Sequence, residues 1–354
     1  MIYVIIGTRA QLIKTAPVMI ELEHRGIDHQ FVFTGQHTAT IDDIIELFKI
    51  KHPDFRLYNG REITRIGQAF WWSFKCILKS FSLRKNPDKQ NVALIHGDAY
   101  STMLAVVIAK LLQMKIGHIE AGLRSFDCFD PFPEEITRVL TSKLVDYHFC
   151  PGRWAVSNVE RESGIKVNTG VNTLYDALRL SVNNENEVAI DIPKNRYAVI
   201  SIHRFENVFR KERLKHIVKL VDNISEKIRL VFMLHPVTEH SLQNYELMET
   251  LAKNGNIEFR YRCDYFKFIK LMVNSEFIIT DGGSNQEESY YLGKPCLLFR
   301  DKTERLEGLG RNVVLSRFNE DIINDFVHNY TRYRYPLLRL NENPSKMIVD
   351  FLEK

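Results

Sequence analysis

Short apolar runs that stop on a glycine or a polar turn, each followed by a helix-periodic stretch, recur along this 354-residue chain. Ile2 to Ile6 closes on Gly7, and a helical segment from about Gln11 to His24 ends at Gly26. Phe31-Val32-Phe33 stops at Thr34-Gly35-Gln36-His37. Ile41, Ile44, Ile45 and Phe48 then repeat at helical spacing, as do Ile63, Ile66, Phe70, Phe74, Ile77 and Phe81. Val92 to Ile95 runs into His96-Gly97-Asp98, a mostly apolar helix follows from Thr102 to Leu112, and Met114 to Ile119 is the next strand. Strands apolar on both faces, alternating with helices, build a parallel sheet covered on both sides, an α/β fold. The aromatics around Trp71 and Trp72 keep helical spacing, which places them in a core or on a partner surface rather than in a base-stacking platform.

The pattern starts again beyond a polar, glycine-containing stretch from about Pro151 to Asn172. Tyr197 to Ile202 ends in His203-Arg204, Leu230 to Leu234 ends in His235-Pro236, and Ile257-Glu258-Phe259 follows. Phe277-Ile278-Ile279 ends in Thr280-Asp281-Gly282-Gly283-Ser284, with a helix from about Asn285 and a strand from Pro295 to Phe299. Pro344 to Lys354 reads as a terminal helix. A chain of this length holds two domains of ordinary size. The expected division is one α/β domain over 1–165, a second over 172–335 and a helical tail over 336–354. Ligands of such sheets gather outside the carboxyl ends of the strands, so two domains facing one another place the site in the cleft between them.

Charge and cysteine content narrow the class. A net charge of +4, with Lys and Arg spread along the chain, leaves no nucleic-acid footprint, although a few basic residues suffice for a phosphorylated small molecule. Five dispersed cysteines (Cys76, Cys128, Cys150, Cys263, Cys296) argue against a disulfide framework or a zinc cage and for a reducing, cytoplasmic compartment. The apolar start gives way at Gly7-Thr8-Arg9, too short to span a bilayer and lacking a basic leader; it reads as a strand, and no membrane insertion is expected.

The most pointed chemistry lies in Gly117-His118-Ile119-Glu120-Ala121-Gly122-Leu123-Arg124 and its continuation through Pro133-Glu134-Glu135-Ile136-Thr137-Arg138. An apolar strand ends on a carboxylate and a glycine turn, and further carboxylates open a helix. The plain structural alternative is a solvated loop with acidic residues favoured by the helix dipole. Asp98 stands at another strand end, so Asp98, Glu120 and Glu134 share one end of the first domain. Three carboxylates repel a phosphate, but they suit proton transfer, with pKa values raised by burial and proximity. Metal binding is the rival use, and it ranks lower because the basic groups nearby already neutralise phosphates. Those groups are Arg9 and Lys14, where a Gly7 turn feeds a helix N-terminus and offers N–H groups to an anion. The device recurs at Asp281-Gly282-Gly283-Ser284, with Glu288 one turn on to accept ribose hydroxyls and His203-Arg204 at a strand end to reach a pyrophosphate. Neither a P-loop nor the G-x-G-x-x-G dinucleotide fingerprint is present.

The ordered set Gly7-Thr8-Arg9, Ile13-Lys14, Ala16-Pro17, Gln36-His37, His96-Gly97-Asp98, His118 to Arg124, Pro133-Glu134-Glu135 with Arg138, His203-Arg204, Thr280 to Gly283, Gln286-Glu287-Glu288, Gly293-Lys294-Pro295, and Arg300-Asp301 with Thr303-Glu304-Arg305 resembles the non-hydrolysing UDP-N-acetylglucosamine 2-epimerase family over nearly the full length. The resemblance implies a GT-B fold, two Rossmann-like domains with parallel sheets around an interdomain cleft. It implies inversion at C2 of a UDP-linked 2-acetamido sugar: UDP leaves C1 as the C2 proton is removed, a 2-acetamidoglucal stays bound, and UDP adds back. Proton carriers on both faces of C2 are then needed. The resemblance assigns them to Asp98, Glu120 and Glu134, and the leaving pyrophosphate to Arg9, Lys14 and His203. Arg138 holds the diphosphate or orients the carboxylates, Gly283 and Ser284 take phosphate, Glu288 takes the ribose, and His235 and Arg305 complete the nucleotide site. It implies no cofactor and no metal, a homodimer, and a role in bacterial surface polysaccharide precursor synthesis.

Four departures stand out. Pro-Glu after Gly-Thr-Arg is here Ala10-Gln11, a change shared with relatives acting on modified sugars such as diacetamido-uronates. The Ser-Gly-Gly turn is Gly282-Gly283-Ser284, the Tyr-Gly-Asp-Gly segment is replaced near Asn341-Glu342-Asn343-Pro344, and Ala39 stands where an allosteric Gln occurs in some members. Two other classes share parts of the pattern. A GT-B glycosyltransferase has the nucleotide half but no need of three carboxylates beside Lys14, and a non-catalytic sugar-nucleotide sensor has no need of Asp98, Glu120, Glu134 and His203.

Overall fold

The computed structural model describes residues 1–36, 41–60, 66–83, 91–127, 133–184, 188–261 and 263–354. His37 and Ala39 lie outside them. The chain divides into two compact units, Met1–Arg179 with Leu340–Lys354, and Leu180–Arg339.

The first unit is a seven-stranded, wholly parallel sheet. Its strands are β1 (Ile2–Ile6), β2 (His29–Phe33), β3 (Phe55–Arg56), β4 (Val92–His96), β5 (Lys115–Ile119), β6 (Tyr147–Cys150) and β7 (Ile165–Asn168), in spatial order β3-β2-β1-β4-β5-β6-β7. Its helices are α1 (Arg9–His24), α2 (Asp42–Phe48), α3 (Ile66–Ser80), α4 (Tyr100–Leu111), α5 (Glu134–Leu144), α6 (Arg153–Asn158) and α7 (Leu174–Asn183), the last running past Arg179. The strand order reverses between β1 and β4, the point where a doubly wound sheet opens its ligand crevice. β1 is buried along its whole length, as a strand covered on both faces must be. On α3, Trp72 and Cys76 turn into the core, while Phe70, Trp71, Phe74 and Leu78 face outward and are exposed.

The second unit repeats the plan with six parallel strands: β8 (Tyr197–Ser201), β9 (Arg229–Leu234), β10 (Ile257–Tyr261), β11 (Ile278–Thr280), β12 (Cys296–Leu298) and β13 (Val313–Leu315), in the order β10-β9-β8-β11-β12-β13. The helices are α8 (Phe205–Val208), α9 (Lys211–Ser225), α10 (Pro236–Asn244), α11 (Met248–Ala252), α12 (Tyr265–Asn274), α13 (Gly283–Leu292) and α14 (Glu320–Asn329). Here the reversal falls between β8 and β11, which lead into His203 and Asp281.

The division differs from the expected one at both ends. The boundary does not fall in the polar stretch from Pro151 to Asn172: α6 and β7 lie within it, and β7 pairs with β6 as the edge of the first sheet. The C-terminal helix α15 (Pro344–Leu352) is no separate tail. It packs on α1 of the first unit, with Arg25 bound to Asp350 and Glu353 and Phe351 edge-on to Tyr147 and Phe149. Periodicity hid both facts, because β7 is short, partly exposed and alternates polar with apolar residues, and a returning terminal helix leaves no mark in local sequence. No helix among the described residues is long and apolar enough to cross a membrane.

Candidate active site

In the first unit the site is built where β4 and β5 end and α1 begins. Thr8 caps α1 and forms a capping box with Gln11, so the helix starts at Arg9 rather than near Gln11. Gln11 is buried and all its amide capacity is used. Its Oε1 accepts from the backbone N–H groups of Gly7 (2.9 Å) and Thr8 (3.1 Å) and from Ser101 Oγ (3.0 Å); its Nε2 donates to the His96 carbonyl (2.7 Å) and Thr102 Oγ1 (2.9 Å). Gln11 therefore ties the Gly7 turn to the end of β4. One turn further, Lys14 Nζ donates to Glu120 Oε2 at 2.6 Å, and both side chains are buried. Glu120 follows β5 with φ of +66°, a left-handed conformation that costs a non-glycine residue about 1–3 kcal/mol. It is held because the carbonyl before it accepts from Gly97 N and the N–H after it donates to Phe149 O, both at 3.0 Å.

His96 Nε2 lies 3.8 Å from Glu120 Oε2. Burial drives the His96 imidazole down to about 3, with Glu120 opposing and Lys14 and His118 adding to the fall. Burial likewise takes His118 down to about 4, against its hydrogen bond to the Gly97 carbonyl, and lowers His148 beside it in register on β6. These rings are neutral in the fold and take up protons when the chain unfolds. A folded value below the unfolded 6.5 gives stability that is complete above pH 6.5 and lost as pH falls toward 4 and then 3. The urea midpoint is expected to drop between pH 6.5 and 4.5, and His118→Gln to flatten that drop. Equal midpoints at the two pH values would refute this account. Glu135, held below its ordinary 4.5, loses its stabilising contribution only at lower pH.

A second network holds Asp98 and the start of α5. Arg138 Nη2 donates to Asp98 Oδ2, and Nη1 to Glu135 Oε2 at 3.4 Å. Glu135 is fully buried and also accepts from Arg124 Nε (2.5 Å), Ser125 N (2.9 Å) and Phe126 N (3.3 Å). Burial pushes its carboxyl up, but the Ser125 N–H, Arg124 and Arg138 together hold it lower than usual. Glu134 opens α5 one turn before Arg138, on the same helix face. Arg9 Nη1 donates to both oxygens of Asp43, at 2.7 and 2.5 Å. Among the described residues no group of three or more His, Cys, Asp or Glu is arranged to hold a metal ion.

In the second unit Asp281 organises the strand ends. It is fully buried and accepts from His203 N (3.0 Å), Arg204 N (2.9 Å) and Asn207 Nδ2 (3.0 Å). The His203 ring lies 3.4 Å from it through Nδ1 and 5.5 Å, centre to centre, from the ring of His235, which caps α10. Gly282 and Gly283 open α13, and here the missing side chains are what matters. A Cβ on Gly282 would stand 2.9 Å from His203 Cε1, and one on Gly283 2.8 Å from Arg305 Nε. Arg305 is bound by the buried Glu287, which also accepts from Tyr291. Glu288 is buried one turn into α13, with Asn285 Nδ2 donating to it at 2.9 Å.

The structure thus joins Lys14 to Glu120 and Asp98 to Arg138, and gathers His203, His235, Gly283, Glu288 and Arg305 around the start of α13 and the adjoining strand ends. Ser284 lies half-buried in the first turn of α13. Sequence reasoning passed over Gln11 as a scaffold, Glu135, Asp281 and Asn172, whose Nδ2 donates to Glu120 Oε2. The T-x-x-Q capping pattern at Thr8 to Gln11 was a usable signal; the other contacts leave none in local sequence.

Comparison with known proteins bears on all of this. A family profile described as UDP-N-acetylglucosamine 2-epimerase matches residues 20–343. The UDP-N-acetylglucosamine 2-epimerase of Methanocaldococcus jannaschii is 34% identical over 341 residues, 90% of this chain and 89% of that one. That of Neisseria meningitidis is 32% identical over 373 aligned positions, covering 99% of this chain and 98% of its own. Crystal structures of the M. jannaschii enzyme in complex with UDP-GlcNAc and UDP, and of the N. meningitidis enzyme bound to UDP-GlcNAc, each superpose with a TM-score of 0.85 at 29% identity, covering 99% of both chains.

Proposed function

This chain belongs to the UDP-N-acetylglucosamine 2-epimerase family, and from that membership we propose that it inverts C2 of a UDP-linked 2-acetamido sugar, with UDP-N-acetylglucosamine as the first substrate to test. The observation that carries the reading is the pair of buried or half-buried ion pairs at one end of the first sheet, Lys14 with Glu120 and Arg138 with Asp98. Each sets a carboxylate beside a cation, an arrangement suited to moving a proton while negative charge builds on a leaving diphosphate. One carboxylate of the set Asp98, Glu120 and Glu134 takes the C2 proton as the C1–O bond to UDP breaks, leaving a 2-acetamidoglucal. Another delivers a proton to the opposite face of C2 as UDP adds back to C1. Arg9, Lys14 and His203 stabilise the diphosphate, Gly283 and Ser284 offer phosphate donors at the start of α13, Glu288 takes the ribose, and His235 and Arg305 complete the nucleotide site. No redox cofactor enters, because the overall reaction moves a proton and no electrons.

A cytoplasmic homodimer is part of the reading. α3, α4 and α5 pack side by side on the first sheet, and Phe70, Trp71, Phe74, Leu78, Leu111 and Leu140 are exposed there. Large apolar side chains exposed on three adjoining helices suit burial against a partner. A second copy of this chain is the proposed occupant, and a monomeric mass by light scattering would remove it.

The reaction itself is tested in deuterium oxide. Solvent deuterium is expected at C2 of both epimers, followed by loss of the C2 proton signal in NMR, without added metal, nicotinamide or acceptor. A panel of N-acetylglucosamine, L-6-deoxy and diacetamido-uronate UDP-sugars identifies the substrate by which member responds. A glycosyltransferase breaks C1–O without touching C2, and a sensor does neither. Turnover of a panel sugar without exchange at C2 would overturn the epimerase reading.

A further inference from the structure

Asn172 sits beyond β7, in a turn tied down by its neighbours. Thr169 Oγ1 donates to the Cys150 and Val171 carbonyls, and Gly170 N to Asn168 Oδ1. The Asn172 side chain is buried and reaches in two directions. Its Oδ1 accepts from Leu174 N at 3.4 Å and Thr173 Oγ1 at 3.3 Å, at the start of α7. Its Nδ2 donates to Glu120 Oε2, the oxygen that also takes Lys14 Nζ. The contacts of Oδ1 fix which way the amide points, since only the other edge can donate.

We propose that Asn172 is a positioning residue for Glu120, holding with Lys14 the carboxylate that the epimerase reading assigns to proton transfer. The inference rests on that reading. A carboxylate at the end of a Glu side chain turns freely about its last bond. Two donors from opposite elements, α1 and the turn after β7, fix its plane. A neutral amide does this without adding the second positive charge that would make the carboxylate a poorer base. Lys14, His96 and His118 are titratable groups that act on Glu120, so an added acid at position 172 changes the site's charge directly.

A purely structural role has to be separated, because Oδ1 also accepts from Leu174 N in the turn before α7. Asn172→Asp separates them. Asp makes the same side-chain turn to the backbone two residues on as Asn does, but it sets a carboxylate where Glu120 needs a donor. We expect kcat to fall by about 100-fold with the UDP dissociation constant within about twofold, since misplacing a reacting group by an ångström has that effect on rate. The acid limb of the kcat profile should move to higher pH, as two carboxylates then share Lys14. Wild-type kcat and an unmoved profile in Asn172→Asp would overturn the proposal and leave the turn before α7 as the residue's whole role. If that variant does not fold, Asn172→Ala decides by kcat against UDP affinity: a fall in kcat alone supports positioning, and unchanged kcat overturns it. A wild-type protein that turns over a panel sugar without C2 exchange defeats the epimerase reading first, and this inference with it.

Discussion

Asp98→Asn, Glu120→Gln and Glu134→Gln are each expected to cut turnover by about 100-fold or more, the usual worth of a positioned acid or base, while UDP binding stays near its native strength. The three changes are unequal in their surroundings. Arg138 keeps its contact with Glu135 when Asp98 becomes Asn, so the start of α5 stays anchored. Glu120→Gln instead leaves the buried Lys14 facing a neutral amide, and breaking a buried ion pair costs about 3–5 kcal/mol. Thermal unfolding of that variant must therefore accompany its kinetics, so that lost chemistry is told apart from lost fold. Near-native turnover of the true substrate in all three variants would show that the proton carriers lie elsewhere.

Truncating the nucleotide half has the second large effect. His203→Ala and Glu288→Ala are each expected to weaken UDP binding by about 1.5–3 kcal/mol, the worth of a charge-assisted hydrogen bond. Both variants should fold. The backbone at His203 and Arg204 is held by Asp281 rather than by the imidazole, and Glu288 is oriented by Asn285 within the same helix. Gly282 leaves the space the His203 ring occupies, so its loss opens room and strains nothing. Calorimetric titration decides the matter; unchanged affinity in both variants would sink this placement of the nucleotide.

The alternation of apolar runs and helix-periodic stretches was enough to establish two parallel sheets, and the residues closing those runs were enough to mark a candidate site. Strands end where the buried run ends, and in a parallel α/β sheet those ends are where ligands bind. So Asp98, Glu120 and His203 could be singled out from position alone. The capping spacing of Thr8 and Gln11 marked the start of α1 as well, a signal in the sequence that the reading of the helix from about Gln11 left unused. What the sequence could not supply is who holds whom. Lys14 and Glu120 are 106 residues apart, and Gln11 meets Ser101 across 90. Asn172 reaches Glu120 from a stretch whose composition read as a domain boundary. Arg9 sits against Asp43, and Glu135 rather than Glu134 became the buried anchor of α5. The place where the chain divides, and the return of α15 to the first unit, were likewise decided by packing. Periodicity records which face of an element is buried, whereas a buried polar group is satisfied by whatever donor the sheet order brings beside it, and that order exists only once the strands are assembled.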